Sequence, residues 1–220
     1  MTLLDYLQNF ITEERKQRFS EIISQRTNHF TVAMEDVFQM HNTSAVVRTC
    51  EVFGVQQAHS IEGRYGKRLD EKIAMGAQKW VDVFRYDDTQ KCIDTLRKKG
   101  YQIVATTPHK DAYLLNDFDI SKKSAFFFGT EKEGLSEKVL DQADTYLKIP
   151  MVGFTESLNI SVAVAIVLQQ LTDKLRRSNI KWQLTDEEHY NVLEQWTKIS
   201  VRNVNDVIKR YNELKAKAEK

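Results

Sequence analysis

Between Phe30 and Pro150 short apolar runs alternate with stretches of helical periodicity, and this alternation constrains the fold more than any other feature. FTVAM, AHSI, VDVFRY, YQIVATT, SAFFFG and TYLKIP read as strands. SAVVRTCEVF closed by Gly54, LDEKIAMGAQKW, TQKCIDTLRKK closed by Gly100 and LSEKVLDQA read as helices. Near-continuous apolar strands separated by helices predict an α/β domain with a mostly parallel sheet and helices on both faces. After Pro150, a loop at Gly153 leads into SLNISVAVAIVLQQL. That run is apolar on nearly every side, which predicts a helix from Ser157 to Leu171 buried all round, in the core or against a second copy of the chain.

The ends read differently. Thr12 to about Arg26 is a charged surface helix with Phe19, Ile22 and Ile23 at helical spacing, carrying Arg15, Lys16, Arg18 and Arg26. Near the other end, Thr185 to Glu188 forms a capping box that opens an amphipathic helix, and NVNDVIKRYNELKAKAEK supplies another. The expected organisation is an N-terminal helical arm over 1–29, one α/β domain over 30–178 and a C-terminal helical extension over 179–220.

Charge and cysteine content narrow the function. In 220 residues, 32 Lys and Arg face 31 Asp and Glu, so any nucleic-acid surface must be local. From Leu171 onward, 11 bases against eight acids give one such local excess of three. Cys50 and Cys92 stand alone, with no CxxC pair, which argues for a reducing compartment and against a disulfide or iron–sulfur scaffold. No apolar run approaches the ~20 residues of a membrane span, so a cytoplasmic, soluble protein is expected. The five histidines are dispersed without HExxH, and no metal site is expected. No GxGxxG follows a strand, which removes the dinucleotide fingerprint. Gly129 to Gly134 has the frame of a phosphate loop but carries Glu131 and Glu133, which repel phosphate.

Three strand ends carry unusual chemistry. His41-Asn42-Thr43-Ser44 with Arg48 is either a capped helix with a surface arginine, or helix N–H groups and a guanidinium placed to suit a phosphate. The Gly129–Gly134 turn is either an acidic loop or a close-approach cradle for a ligand. In Ile149 to Ser161, the residues Ser157, Asn159 and Ser161 either cap the apolar helix or face a ligand. All three begin at the C-terminal ends of expected parallel strands, the edge at which open α/β sheets place ligands.

NTSAVVRTCEVFGV, FFFGTEKEGLS and IPMVGFTESLNISVAVAIVL, in this order and spacing, resemble the three motifs of the SPOUT superfamily of RNA methyltransferases. Within it, the terminal extensions are similar to those of the tRNA (guanosine-18) 2′-O-ribose methyltransferases. The resemblance implies a SPOUT-type sheet with a C-terminal trefoil knot, a homodimer built on the apolar helix, and methyl transfer from S-adenosylmethionine to a tRNA ribose 2′-oxygen. It places the cofactor on Thr106, Gly129, Ile149, Met151, Leu158 and Asn159, largely through backbone groups.

The same resemblance puts Arg48 at the centre of catalysis, oriented by Asn42, with Glu131 holding the loop or Arg48, and with Ser157 and Asn159 shaping the site. His41 is read as support. A guanidinium is a poor base, so Arg48 is read as a clamp on the RNA phosphate that stabilises the developing alkoxide, with a phosphate oxygen or water taking the proton. RNA contact is expected from Arg15, Arg18 and Arg26 on the arm, from Arg64, Lys67 and Arg68 in a loop, and from Arg176 with its neighbours Arg177 and Lys181. The other readings of the same motifs are ribosomal RNA or another tRNA position as substrate, or a catalytically silent RNA-binding dimer.

Overall fold

A computed structural model describes residues 1–37, 39–63, 76–108, 112–131 and 133–218. Residues 27–182 form one compact unit, while 1–26 and 183–220 together form another.

The larger unit is built on seven strands: β1 (Phe30–Glu35), β2 (Gln57–Ile61), β3 (Asp82–Tyr86), β4 (Gln102–Thr106), β5 (Tyr113–Leu114), β6 (Ser124–Phe128) and β7 (Thr145–Lys148). Their order is β3-β2-β1-β6-β4-β7-β5, and every pairing among them is parallel. The four helices described in this unit are α3 (Met40–Val52), α4 (Thr89–Lys98), α5 (Glu137–Gln142) and α6 (Ile160–Arg176). The mostly parallel α/β sheet is therefore as expected. The two-residue β5 was not; a segment that short has no periodicity to register.

The period of two along each strand sorts its side chains between two cores. Phe30, Val32 and Met34 of β1 and Phe126 and Phe128 of β6 pack with α3 and α6, where Val46, Val47, Val164, Leu168 and Leu171 are fully buried. Ala33, Ala125 and Phe127 face the other way, onto Ile93 and Leu96 of α4 and Val139 of α5. Burial on both faces explains why these strands read as unbroken apolar runs.

Two helix starts differ from expectation. α3 begins at Met40, with Gln39 as N-cap and no side-chain cap bond, so Asn42, Thr43 and Ser44 lie inside the helix and not at its cap. α6 begins at Ile160, not Ser157, because the Asn159 side chain accepts the Ser161 N–H and caps the helix there. Nor is α6 buried all round in the single chain: Val162 and Ile166 are exposed, at 45% and 37%.

The helix expected over LDEKIAMGAQKW falls largely outside the described residues; Ala77–Lys79 is a 3₁₀ turn. In the smaller unit, α1 (Leu3–Gln8) and α2 (Glu13–Ile23) join α7 (Asp186–Ser200) and α8 (Val204–Ala218). The expected capping box at Thr185 and Glu188 is present. Arm and tail, read as separate extensions, fold together around Leu7, Val201 and Val207.

Candidate active site

Because β6 lies between β1 and β4, and β7 between β4 and β5, the loops leaving β4, β6 and β7 meet at one edge of the sheet. They enclose a cavity of about 500 Å³. Its wall includes Thr106, Gly129, Ile149, Met151, Ser157 and Leu158, so five of the six expected cofactor positions share one cavity. Asn159, the sixth, lies next in sequence and belongs to a hydrogen-bond network instead.

The floor is the turn after β6. Thr130 and Gly134 exchange two backbone hydrogen bonds of 3.0 Å, and Gly134 adopts φ +71°. A Cβ on Gly129 would sit 2.0 Å from the Gly134 carbonyl oxygen, so only glycine allows the chain to fold back on itself there. Thr106 fixes the neighbouring wall by donating from Oγ1 to the Phe127 carbonyl at 2.6 Å.

A carboxamide network joins the three motifs. Glu131 Oε1 accepts from Asn42 Nδ2 at 3.1 Å and from Asn159 Nδ2 at 2.7 Å. Asn159 Nδ2 also donates to Asn42 Oδ1 at 3.1 Å, and Asn42 donates to Gln39. Asn42 is buried, so its amide would be costly without these partners. Glu131 thus links the turn after β6 to Asn42 and Asn159. It does not hold Arg48, which is exposed on α3 and makes no hydrogen bond or ion pair among the described residues. Six residues along a 3.6-residue helix turn it about 120° from Asn42. That angle is why Asn42 serves the network and does not orient Arg48. His41 is exposed on the same helix.

The expected RNA contacts divide. Arg15 and Arg18 are exposed on α2, where Arg18 pairs with Glu21 at 3.5 Å. Arg26 is 1% exposed and lies 5.2 Å from the Trp196 ring centroid, so it is a packing residue and not a surface contact. A planar guanidinium is well suited to that stacking. Arg176 donates to the Phe53 carbonyl at 2.8 Å and lies over Trp182, which gives it a structural role although it is exposed. Arg64, Lys67 and Arg68 lie outside the described residues.

Sequence reading missed Glu35. This carboxylate, 4% exposed at the end of β1, accepts from Ser136 N at 2.8 Å and from Ser136 Oγ and Thr89 Oγ1 at 2.7 Å each. An acid directly closing an apolar strand was the available signal. Glu133 and Glu156 also line the cavity, and no sequence motif marks them as ligand-facing.

Comparison with known proteins places this geometry. The chain is 42% identical over 197 residues to the tRNA (guanosine(18)-2′-O)-methyltransferase of Borreliella burgdorferi, covering 90% of each chain. It superposes on the crystal structure of the TrmH/SpoU tRNA-modifying enzyme of Aquifex aeolicus with TM-score 0.76 and 31% identity, covering 87% of this chain and 98% of that one. The SpoU methyltransferase AviRb of Streptomyces viridochromogenes, solved with AdoMet, shares the fold at TM-score 0.61 and 20% identity, over 72% of this chain and 62% of that one. Residues 29–169, which include every described strand and the carboxamide network, match the SpoU rRNA Methylase family, and the chain belongs to that family.

Proposed function

We propose that this chain transfers a methyl group from S-adenosylmethionine to the 2′-oxygen of a tRNA ribose, that of guanosine 18, as the name of the Borreliella relative describes for that protein. The observation that carries the reading is the meeting of Thr106, Gly129, Ile149, Met151 and Leu158 around one cavity, beside a network that contains Asn42, Glu131 and Asn159. A volume of about 500 Å³ falls inside the range of roughly 300–1,000 Å³ typical of small-molecule sites. The cavity fits the cofactor: apolar walls suit adenine, and the close-folded Gly129 turn presents backbone groups at its floor.

Bound there, S-adenosylmethionine supplies the sulfonium methyl. The Gly129–Gly134 turn and the 149–158 segment hold the donor, largely through backbone groups. Glu131, locked by Asn42 and Asn159, keeps the turn in register with the start of α6. Arg48, exposed and without a partner among the described residues, is available to clamp the RNA phosphate and stabilise the developing alkoxide. The proton leaves the 2′-hydroxyl for a phosphate oxygen or water. Arg15 and Arg18 extend the RNA contact on α2.

Two architectural readings belong to the same proposal. The segment carrying Leu158 and Asn159 is threaded through an earlier loop as a trefoil knot, the arrangement implied by the resemblance of the three motifs to the SPOUT superfamily. The active form is a homodimer, supported by exposed apolar Val162 and Ile166 on α6 and by Val152 and Phe154 on the loop before it. The test is incubation with methyl-labelled S-adenosylmethionine, unmodified tRNA and ribosomal RNA, followed by mapping of the modified nucleotide. Label at guanosine 18 of tRNA is expected; label in ribosomal RNA alone, or none, overturns the reading.

A further inference from the structure

The end of β1 and the start of α3 are bonded at two points to the turn after β6, which lines the cavity. At each point a carboxylate makes the link, and the two carboxylates come from opposite sides. At one point Glu131, from the turn, takes the Asn42 amide at 3.1 Å. At the other Glu35, from the end of β1, takes the Ser136 N–H at 2.8 Å and the Ser136 hydroxyl at 2.7 Å. The cavity-lining turn Gly129–Leu135 hangs between these two anchors.

Glu35 is an expensive anchor. It is 4% exposed, and no Lys or Arg pairs with it among the described residues. A buried carboxylate is tolerated only when its oxygens are satisfied by hydrogen bonds. Here three neutral donors do so, the third being Thr89 Oγ1 at the first residue of α4. The backbone is held as firmly as the side chain. Asp36, the next residue, takes φ +49°, a conformation unusual for a residue with a Cβ, and its N–H bonds the Ile61 carbonyl at 3.0 Å. The backbone that carries the carboxylate is thus anchored to β2, and the carboxylate ties Ser136 to that anchor.

We infer that Glu35 is a positioning residue for the cofactor cavity: through Ser136 it fixes the Gly129–Leu135 turn, and with it the placement of Glu131 against Asn42 and Asn159. The inference rests on the S-adenosylmethionine reading above. Its consequence is specific, because the three bonds to Glu35 are not equivalent. The two to Ser136 set the turn, whereas the one to Thr89 ties only α4, which contributes nothing to the cavity wall.

The experiment measures S-adenosylmethionine dissociation constants by calorimetry for the full-length wild type and for Glu35→Gln, Ser136→Ala and Thr89→Val. All are measured at a temperature where circular dichroism shows each variant folded. Glu35→Gln turns one acceptor oxygen into a donor facing the Ser136 N–H or a hydroxyl, and is expected to weaken cofactor binding about tenfold, the scale of one lost hydrogen bond to a charged group. Ser136→Ala weakens it in the same direction. Thr89→Val removes a bond from the same carboxylate and leaves affinity within about twofold.

A merely stabilising Glu35 would lower the melting temperature in all three variants and leave their affinities alike, which overturns the inference. If Glu35→Gln does not fold, the contrast between Ser136→Ala and Thr89→Val decides by itself: weaker binding in the first supports positioning, and equal binding refutes it. A wild type that binds no S-adenosylmethionine contradicts the underlying reading before any variant is compared.

Discussion

Asn42 and Asn159, 117 residues apart in the chain, are joined by a direct 3.1 Å hydrogen bond and donate to the same oxygen of Glu131. One carboxylate oxygen thus ties the start of α3 to the start of α6 through the turn after β6. Replacing Glu131 by alanine strands a buried amide, a cost of about 1–3 kcal/mol, and is expected to lower methyl transfer at least about tenfold. Glu131→Gln keeps an acceptor oxygen of the same reach and should lose less. Single-turnover rates for the two variants check this; equal losses would show that the network's geometry is not what matters.

Arg48 stands outside that network, so its removal should leave the cofactor cavity undisturbed. Arg48→Ala is expected to bind S-adenosylmethionine as the wild type does while methyl transfer falls about 10²-fold or more, as when a donor to a developing oxyanion is deleted. Calorimetry paired with a transfer assay separates the two effects. Near-normal turnover would remove Arg48 from the reaction.

The two glycines of the turn should respond differently. At Gly129 an added methyl meets backbone atoms at 2.0 to 2.4 Å, so Gly129→Ala must deform the floor of the cavity and abolish tight cofactor binding. At Gly134 nothing lies within 4 Å, and only the left-handed φ of +71° resists a side chain. Gly134→Ala should cost about 1–2 kcal/mol of stability and bind cofactor more tightly than Gly129→Ala. Paired denaturation and binding measurements test the order.

Away from the site, His59 is a buried histidine on β2, stacked on Phe84 and Tyr86, with Nδ1 3.1 Å from the Tyr86 hydroxyl. Burial drives its imidazole down to about 3, and the Lys99 charge adds to the effect. Its unfolded value is near 6.5, so the unfolded chain takes up the proton first as pH falls. The stability held by the neutral ring is complete above about pH 6.5 and is lost progressively toward pH 3. Between pH 7 and 5 the wild type should lose about 2 kcal/mol more than His59→Phe. Equal losses in urea titrations would show that His59 does not titrate on unfolding.

The sheet was legible because strands such as β1 and β6 are buried on both faces and therefore carry unbroken apolar runs. The motifs single out Thr106, Gly129, Ile149, Met151 and Leu158, and the structure brings these five around one cavity. What escaped depends on tertiary partners. Asn42 reads as a cap until Glu131 and Asn159 are seen across from it, and Arg26 reads as a surface base until Trp196 covers it. Glu35 is marked in the sequence only as an acid closing an apolar strand; Ser136 and Thr89, distant in sequence, are what give it a function. The pairing of arm and tail into one unit escaped for the same reason, since neither end records its partner.

The central claim is that the ribose 2′-oxygen of guanosine 18 receives the methyl group, and the most direct test removes that oxygen. A tRNA carrying 2′-deoxyguanosine at position 18 should bind the protein but accept no label from S-adenosylmethionine, while the otherwise identical ribose-containing tRNA is labelled. Equal labelling of the two would contradict the account.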